Sequence, residues 1–224
     1  MSKGVPDARL RSLLDEARAL ISGGKFAEAR TRLLAATHEF SDSADVWTML
    51  GVAEHKLGHL SDAVQDLLAS LQIDSDDADA LSSLGGVYIS MREYDQAERC
   101  YQKVVLAEPA NTYALLNLLT LHGMKGPIDA ELATYRRALD AGKRRCREQM
   151  DSGVNLPWCA YDLAQIAFFE KNWPDFEASL RDAISRSAPW QVDSAVKTYG
   201  MLADSASVSL GAQRALDTIG RMRA

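Results

Sequence analysis

Small and apolar residues recur along this chain with a fixed step. Ala29, Ala63 and Ala97 stand 34 residues apart in the 224-residue sequence. Three further columns keep the same step: Ala17, Gly51 and Gly85; Phe26, Leu60, Tyr94 and Ile128; and Leu33, Leu67, Tyr101 and Tyr135. One period shared by several independent columns indicates a structural unit that is repeated along the chain.

Each repeat is predicted to consist of two helices joined by a tight turn. Gly23-Gly24 and Gly58 interrupt the apolar pattern, and glycine adopts the left-handed backbone of such turns at little cost. Antiparallel helices approach closely where neither carries a bulky side chain. Small residues twelve positions apart therefore predict three crossings: Ala17 with Ala29, Gly51 with Ala63, and Gly85 with Ala97. A heptad coiled coil is excluded because its apolar period of about 3.5 residues continues without glycine breaks.

The repeat resembles the tetratricopeptide repeat (TPR), a helix-turn-helix unit of the same length. The residues that carry the resemblance are Trp47, Leu50, Gly51, Ala63 and Leu67 in one unit, and Leu81, Leu84, Gly85, Tyr88, Ala97, Tyr101 and Pro109 in the next. The first unit matches through Leu13, Ala17, Leu20, Ala29, Leu33 and Ala36. This resemblance implies an all-α, right-handed solenoid of antiparallel helix pairs.

The pattern becomes irregular in the fourth unit. There the small pair is replaced by Leu119 opposite Glu131, so those helices are not expected to cross as closely. The unit runs on into GKRRCREQMDSG, which predicts a long second helix ending at about Asp151 to Gly153, because Ser and Gly are stop signals. We predict five segments: an N-terminal tail at 1–9, three regular units at 10–111, a divergent fourth unit with the extended helix at 112–156, a divergent fifth unit at 157–190, and C-terminal capping helices at 191–224.

The amino-acid composition limits the kinds of partner that the chain is expected to bind. The formal charge of −6 and the pI near 5.3 argue against a nucleic-acid footprint, which needs an excess of Lys and Arg. The three cysteines show no C-x-x-C spacing and fit a reducing compartment. No stretch reaches the roughly 20 apolar residues of a membrane span, and the N-terminus has no apolar signal core. We expect a complete, cytoplasmic chain that binds neither nucleic acid nor membrane.

No catalytic residue, metal site or cofactor is predicted. His55 and His59 are four apart, but Gly58 places a turn between them, so a shared ion is not expected. No phosphate-binding loop and no nucleophile elbow is present. Cys159 has no histidine nearby in the pattern and is expected to be a buried small hydrophobe. The basic run from Lys143 to Arg147 is interpreted as a solvated helix end.

The resemblance implies that the first helix of each pair lines a concave binding groove. Partner-binding candidates are the helix-1 residues outside the packing columns: Arg18, Thr48, His55, Ser82, Tyr113, Asn117, Trp158, Tyr161 and Gln165. Aromatic anchors suit such a groove because they lose little rotamer entropy on binding. An alternative to binding stays open for three of these aromatic residues: the rings of Tyr113, Trp158 and Tyr161 could pack against the extended helix. We expect Phe168 and Phe169 in the core.

The resemblance also excludes one kind of ligand. TPR cochaperones that grip the C-terminal carboxylate of heat-shock chaperones use Lys, Asn and Arg on the groove. The matching positions here hold Leu14, Arg18, Met49, Asp79 and Ser83, so carboxylate-clamp binding is not expected.

Two functional hypotheses follow. The first is a non-catalytic protein–protein interaction module, a scaffold such as an adaptor or a dedicated chaperone, that binds a peptide or protein segment in its groove. The second is an accessory subunit that docks a substrate onto a separately encoded enzyme.

Overall fold

The structure is a computed structural model, and it describes residues 8–204 and 211–223. The elements in these residues are twelve α-helices: α1 (Ala8–Ser22), α2 (Phe26–Ala36), α3 (Ala44–Leu57), α4 (Leu60–Ile73), α5 (Ala78–Met91), α6 (Tyr94–Ala107), α7 (Thr112–Lys125), α8 (Asp129–Asp151), α9 (Trp158–Phe169), α10 (Trp173–Ser185), α11 (Pro189–Ala203) and α12 (Ala212–Arg223). They pack pairwise in the manner of a TPR solenoid. The predicted all-α class is confirmed.

The described residues form two compact blocks: an N-terminal block that ends at Val104 and a C-terminal block that begins at Val105. Of the predicted N-terminal tail, residues 1–7 lie outside the described residues, while Ala8 and Arg9 belong to α1. Residues 205–210 and 224, which we assigned to the capping segment, are also outside them. The five predicted segment boundaries stay predictions.

The core of the N-terminal block is built from the 34-residue columns. Leu33, Leu67 and Tyr101, which occupy one column, are all completely buried, and so are Ala29, Ala63 and Ala97 in the small column. Complete burial of a large side chain contributes roughly 1.5–3 kcal/mol. The recurring residues thus mark the core.

The close helix crossings pair small residues with large ones. A Cβ placed on Gly51 would lie 2.6 Å from Cγ of Leu67 and 3.2 Å from the carbonyl oxygen of Ala63. A Cβ placed on Gly85 would lie 2.7 Å from the ring of Tyr101. Each glycine therefore leaves room for the large side chain of the next helix. At Gly51 the predicted contact with Ala63 is present as well.

The turns inside the first three repeats share one backbone conformation. Gly24 (φ 74°), Gly58 (φ 85°) and Arg92 (φ 62°) are all left-handed and stand 34 residues apart. Glycine at positions 24 and 58 is the sequence feature that predicts the first two of these turns. Arg92 carries a Cβ in the same region, which an L-residue adopts at a cost of roughly 1–2 kcal/mol.

In the C-terminal block, α8 is the longest helix at 23 residues, and it ends at Asp151 as predicted. Leu119 is completely buried, whereas the side chain of Glu131 is 33% exposed. The close approach of α7 and α8 lies elsewhere, because a Cβ on Gly142 would collide with Cγ2 of Thr112. A glycine within the long helix thus permits this crossing.

Aromatic rings fill the core of the C-terminal block. Phe168 lies 5.1–6.1 Å, between ring centroids, from four others: Phe169, Trp173, Phe176 and Tyr199. Phe168 and Phe169 are buried, which confirms their predicted place in the core. Edge-to-face pairs of this kind each add about 0.5–1.5 kcal/mol beyond area burial.

Candidate partner-binding surfaces

In the N-terminal block, Thr48 and Ser82 are predicted site residues that lie largely inside the fold. Thr48 is 7% exposed and its hydroxyl lies 2.8 Å from Oγ of Ser70. It also donates a longer hydrogen bond, 3.5 Å, to the carboxylate of Asp77. Ser82 is 6% exposed. Thr48 thus joins α3 to α4 and to the N-terminal cap of α5, and both side chains present little surface to a partner.

His55 and Arg18 are nearer to solvent. Nε2 of His55 lies 2.8 Å from Oγ of Ser90, so this imidazole connects α3 to α5. Arg18 donates to Asp15 one turn earlier on α1 at 2.9 Å, and both side chains are more than half exposed. An exposed ion pair at this spacing contributes only about 0.3–0.5 kcal/mol, so Arg18 is readily available to a partner.

In the C-terminal block, Gln165 ties α9 to α7. Its amide donates to Oγ1 of Thr120 at 2.8 Å and to the carbonyl oxygen of Leu116 at 3.3 Å. Asn117 donates to the carbonyl oxygen of Tyr113 at 2.8 Å, within α7. The predicted polar residues of α7 and α9 thus lie on neighbouring helices, with Gln165 fixed in the contact.

The predicted aromatic residues of this block differ in exposure. Trp158 lies 6.0 Å from Tyr161 and 5.7 Å from Trp190, between ring centroids. Tyr161 is 8% exposed, and its hydroxyl lies 3.0 Å from Oγ of Ser187. Tyr113 is 49% exposed. Tyr161 therefore belongs mainly to the core, whereas Tyr113 presents about half of its side chain to solvent.

An acidic cluster in the N-terminal block was not predicted. Glu54, at the end of α3, is 3% exposed, and its carboxylate accepts a hydrogen bond from Nε of Arg30 at 2.5 Å and pairs with Nδ1 of His59 at 2.6 Å. Asp66 lies on α4 close to this group. Partial burial, together with the negative charges of Glu54 and Asp62, raises the pKa of Asp66 to about 6. In the sequence, His59 is the member of this cluster that stands out, through its spacing from His55.

A second buried polar group lies in the C-terminal block. Burial raises the pKa of Asp162 to about 7, although a hydrogen bond from Thr112 and the charge of Arg145 act in the opposite direction. Burial also raises the pKa of the Cys146 thiol to about 12. Cys159 is completely buried, as expected. A thiol that stays protonated is a poor nucleophile, so Cys146 is suited to packing.

Within the basic run of α8, Lys143 makes ion pairs with its surroundings, whereas Arg144, Arg145 and Arg147 are exposed. Nζ of Lys143 lies 2.7 Å from the carboxylate of Glu170 and 3.1 Å from that of Asp140. The side chain of Lys143 is 22% exposed, so this residue is a partly buried ion-pair partner and not part of a freely solvated helix end. Its charge is therefore engaged within the protein.

A cavity of about 430 Å³ lies between α10 and α12. Its lining residues are Glu177, Arg181, Ile184, Ser185, Thr218, Arg221 and Met222. Small-molecule sites are predominantly apolar with few polar groups, and this lining is mostly polar or charged. It does not have the character of such a site.

The helix pairs, the small-large crossings and the left-handed turns define an array of TPR type. A tetratricopeptide repeat family model matches residues 14–78, and a second one matches residues 55–120. The chain is a tetratricopeptide repeat protein, as the resemblance implied. Proteins of this family mediate protein–protein interactions.

Two curated relatives illustrate how far the similarity extends. Superkiller complex protein 3 of Mus musculus is 31% identical over 106 residues, which are 46% of this chain and 7% of that protein. The probable UDP-N-acetylglucosamine–peptide N-acetylglucosaminyltransferase SPINDLY of Hordeum vulgare is 38% identical over 66 residues, 30% of this chain and 7% of that protein. The chain thus spans a small part of the curated relatives that it matches.

A solved structure agrees with the fold. TTC0263, a thermophilic TPR protein of Thermus thermophilus, superposes with a TM-score of 0.58 at 15% identity, covering 86% of this chain and 98% of that one. At this identity the likeness concerns the fold alone. No helix in the described part of the chain is both long and apolar enough to span a membrane.

Proposed function

We propose that this chain is a non-catalytic interaction module, an adaptor or dedicated chaperone, that binds a peptide or protein segment on the first helices of its repeats. The proposal rests on membership of a family that binds proteins and on one surface feature. Among the described residues, the exposed large apolar side chains are Leu34, Leu68, Ile73, Leu106, Tyr113 and Val154, and Tyr113 is the aromatic member. Tyr113 also lies in the first turn of a first helix, α7.

The surroundings of Tyr113 support a binding role. Asn117 lies one turn further along α7 and is partly exposed, so an amide able to bond a partner's backbone stands beside the ring. Tyrosine supplies a large amphipathic contact at low conformational-entropy cost and is enriched among residues that dominate binding energy. A half-exposed ring beside an amide is a suitable anchor point for an extended segment.

The test uses the full chain and a photo-crosslinking amino acid placed at position 113 or at position 34. Leu34 lies on a second helix, α2, and at 44% exposed it matches the 49% of Tyr113. In lysate of the native organism, we expect one protein to crosslink through position 113 and not through position 34. Tyr113→Ala should reduce capture of that protein roughly tenfold or more, as truncation of a dominant anchor does.

Leu34→Ala is the matched control and should leave capture unchanged. Tyr161→Ala is unsuitable, because removal of this buried ring would leave a cavity and damage the fold. Equal crosslinking at both positions, or undiminished capture by Tyr113→Ala, would contradict the proposal. The helicity of each variant, measured by circular dichroism, establishes that it is folded.

A further inference from the structure

The turn between α3 and α4 brings one imidazole and two carboxylates together. Nδ1 of His59, a carboxylate oxygen of Glu54 and one of Asp62 all lie within 4.8 Å of one another. Ligand atoms arranged tetrahedrally around an ion with bonds of about 2.0–2.2 Å stand roughly 3.3–3.6 Å apart. Nδ1 of His59 and the carboxylate oxygen of Glu54 are 2.6 Å apart, so the pair has to open by about 1 Å to admit an ion. Asp62 is exposed, so its side chain can rotate inward.

Two of the three donors are held in position by the fold. Glu54 is 3% exposed, and one oxygen of its carboxylate accepts a hydrogen bond from Arg30, which leaves the other directed at His59. The backbone N–H of His59 donates to the carbonyl oxygen of Glu54 at 2.9 Å, which fixes the start of α4. Outer partners that orient a ligand in this way are typical of protein metal sites.

Charge and access also suit a cation. Glu54, Asp62 and Asp66 are three carboxylates around a single guanidinium, that of Arg30. A nearly buried carboxylate is costly unless positive charge offsets it. The side chain of His59 is 49% exposed and Asp62 faces solvent, so an ion can reach the donors directly.

We propose that Glu54, His59 and Asp62 form a three-ligand site for a divalent first-row transition ion such as Zn²⁺, with water completing its coordination. One imidazole with two carboxylates is a mixed nitrogen and oxygen set, whereas Mg²⁺ and Ca²⁺ prefer oxygen ligands alone. The ion would link the end of α3 to the first turn of α4. Its role is structural, to strengthen this helix pair, and it is independent of the partner-binding proposal.

The test measures Zn²⁺ binding by the untagged, chelator-treated full chain. Binding is monitored by calorimetry and by metal analysis after dialysis. We expect one equivalent of Zn²⁺ per chain and a higher melting temperature in its presence. His59→Gln and Asp62→Asn should each weaken binding at least roughly tenfold, which is the lower range for disturbed metal sites. Both residues are exposed at least in part, so both variants are expected to fold.

His38→Gln and Asp45→Asn are matched controls in the same block, because His38 is an exposed histidine and Asp45 an acidic residue in the first turn of α3. Both should bind Zn²⁺ like the unmodified chain. Co²⁺ should give visible bands whose intensity is lost in His59→Gln. Absence of stoichiometric Zn²⁺ binding would overturn the proposal, as would binding that survives both site substitutions or falls equally in the controls.

Discussion

Gly85→Ala tests the packing that sets the distance between α5 and α6. Alanine in place of glycine within a helix normally stabilises it by about 1 kcal/mol. Here the added Cβ would lie 2.7 to 3.0 Å from three carbons of the Tyr101 ring. Ordinary contact between carbons begins at about 3.5 Å, so the ring has to move by almost 1 Å.

The ring has little room for that movement, because Tyr101 is completely buried. Overpacking of a well-filled core costs about 1–3 kcal/mol, which outweighs the gain in helix propensity. We expect Gly85→Ala to lower the free energy of unfolding by about 1 kcal/mol net. Gly200→Ala in α11 is the control, since its Cβ would meet nothing within 4 Å and the substitution should stabilise the chain.

The assay is urea unfolding followed by circular dichroism, with unfolding midpoints compared directly, because repeat arrays can depart from two-state behaviour. Combining Gly85→Ala with Tyr101→Leu should remove most of the penalty, which makes the pair a double-mutant cycle. The reasoning fails if Gly85→Ala stabilises the chain as Gly200→Ala does, or if its effect is the same with Leu at position 101.

Two further predictions concern backbone strain and a buried acid. Arg92→Gly should raise the free energy of unfolding by up to about 1 kcal/mol in the same urea assay, because glycine relieves the left-handed backbone at φ 62°; an unchanged or lower midpoint would contradict this. In the folded chain Asp162 keeps its proton up to a pKa of about 7, whereas in the unfolded chain the pKa is 3.8. The contribution of Asp162 to the free energy of unfolding should therefore fall between pH 4 and 7, by at most about 4 kcal/mol, and then stay level. Asp162→Asn should remove that component, so that the free energy of unfolding of the variant relative to that of the unmodified chain rises from pH 4 to pH 7 and then stays constant; equal pH profiles would refute the assignment.

The candidate site was accessible to sequence reasoning only in part. A resemblance can indicate which helix faces a groove, but Thr48 and Tyr161 show that it does not tell how much of a side chain remains exposed. Both side chains are buried, and their hydroxyls find partners at Ser70 and Ser187, 22 and 26 residues away along the chain. Such pairings depend on how separate helices meet, and no local pattern reports them.

The repeat, its helix-turn-helix form and the position of the long helix α8 can be predicted from local sequence, because helical periodicity, glycine turns and stop signals act over a few residues. That Arg92 repeats the left-handed turn of Gly24 and Gly58 depends on tertiary packing, since the helices on both sides of the turn hold that conformation. Tertiary packing also decides that Glu54 lies between Arg30 and His59. These contacts join three helices, and the burial of Glu54 strengthens them by limiting competition from water.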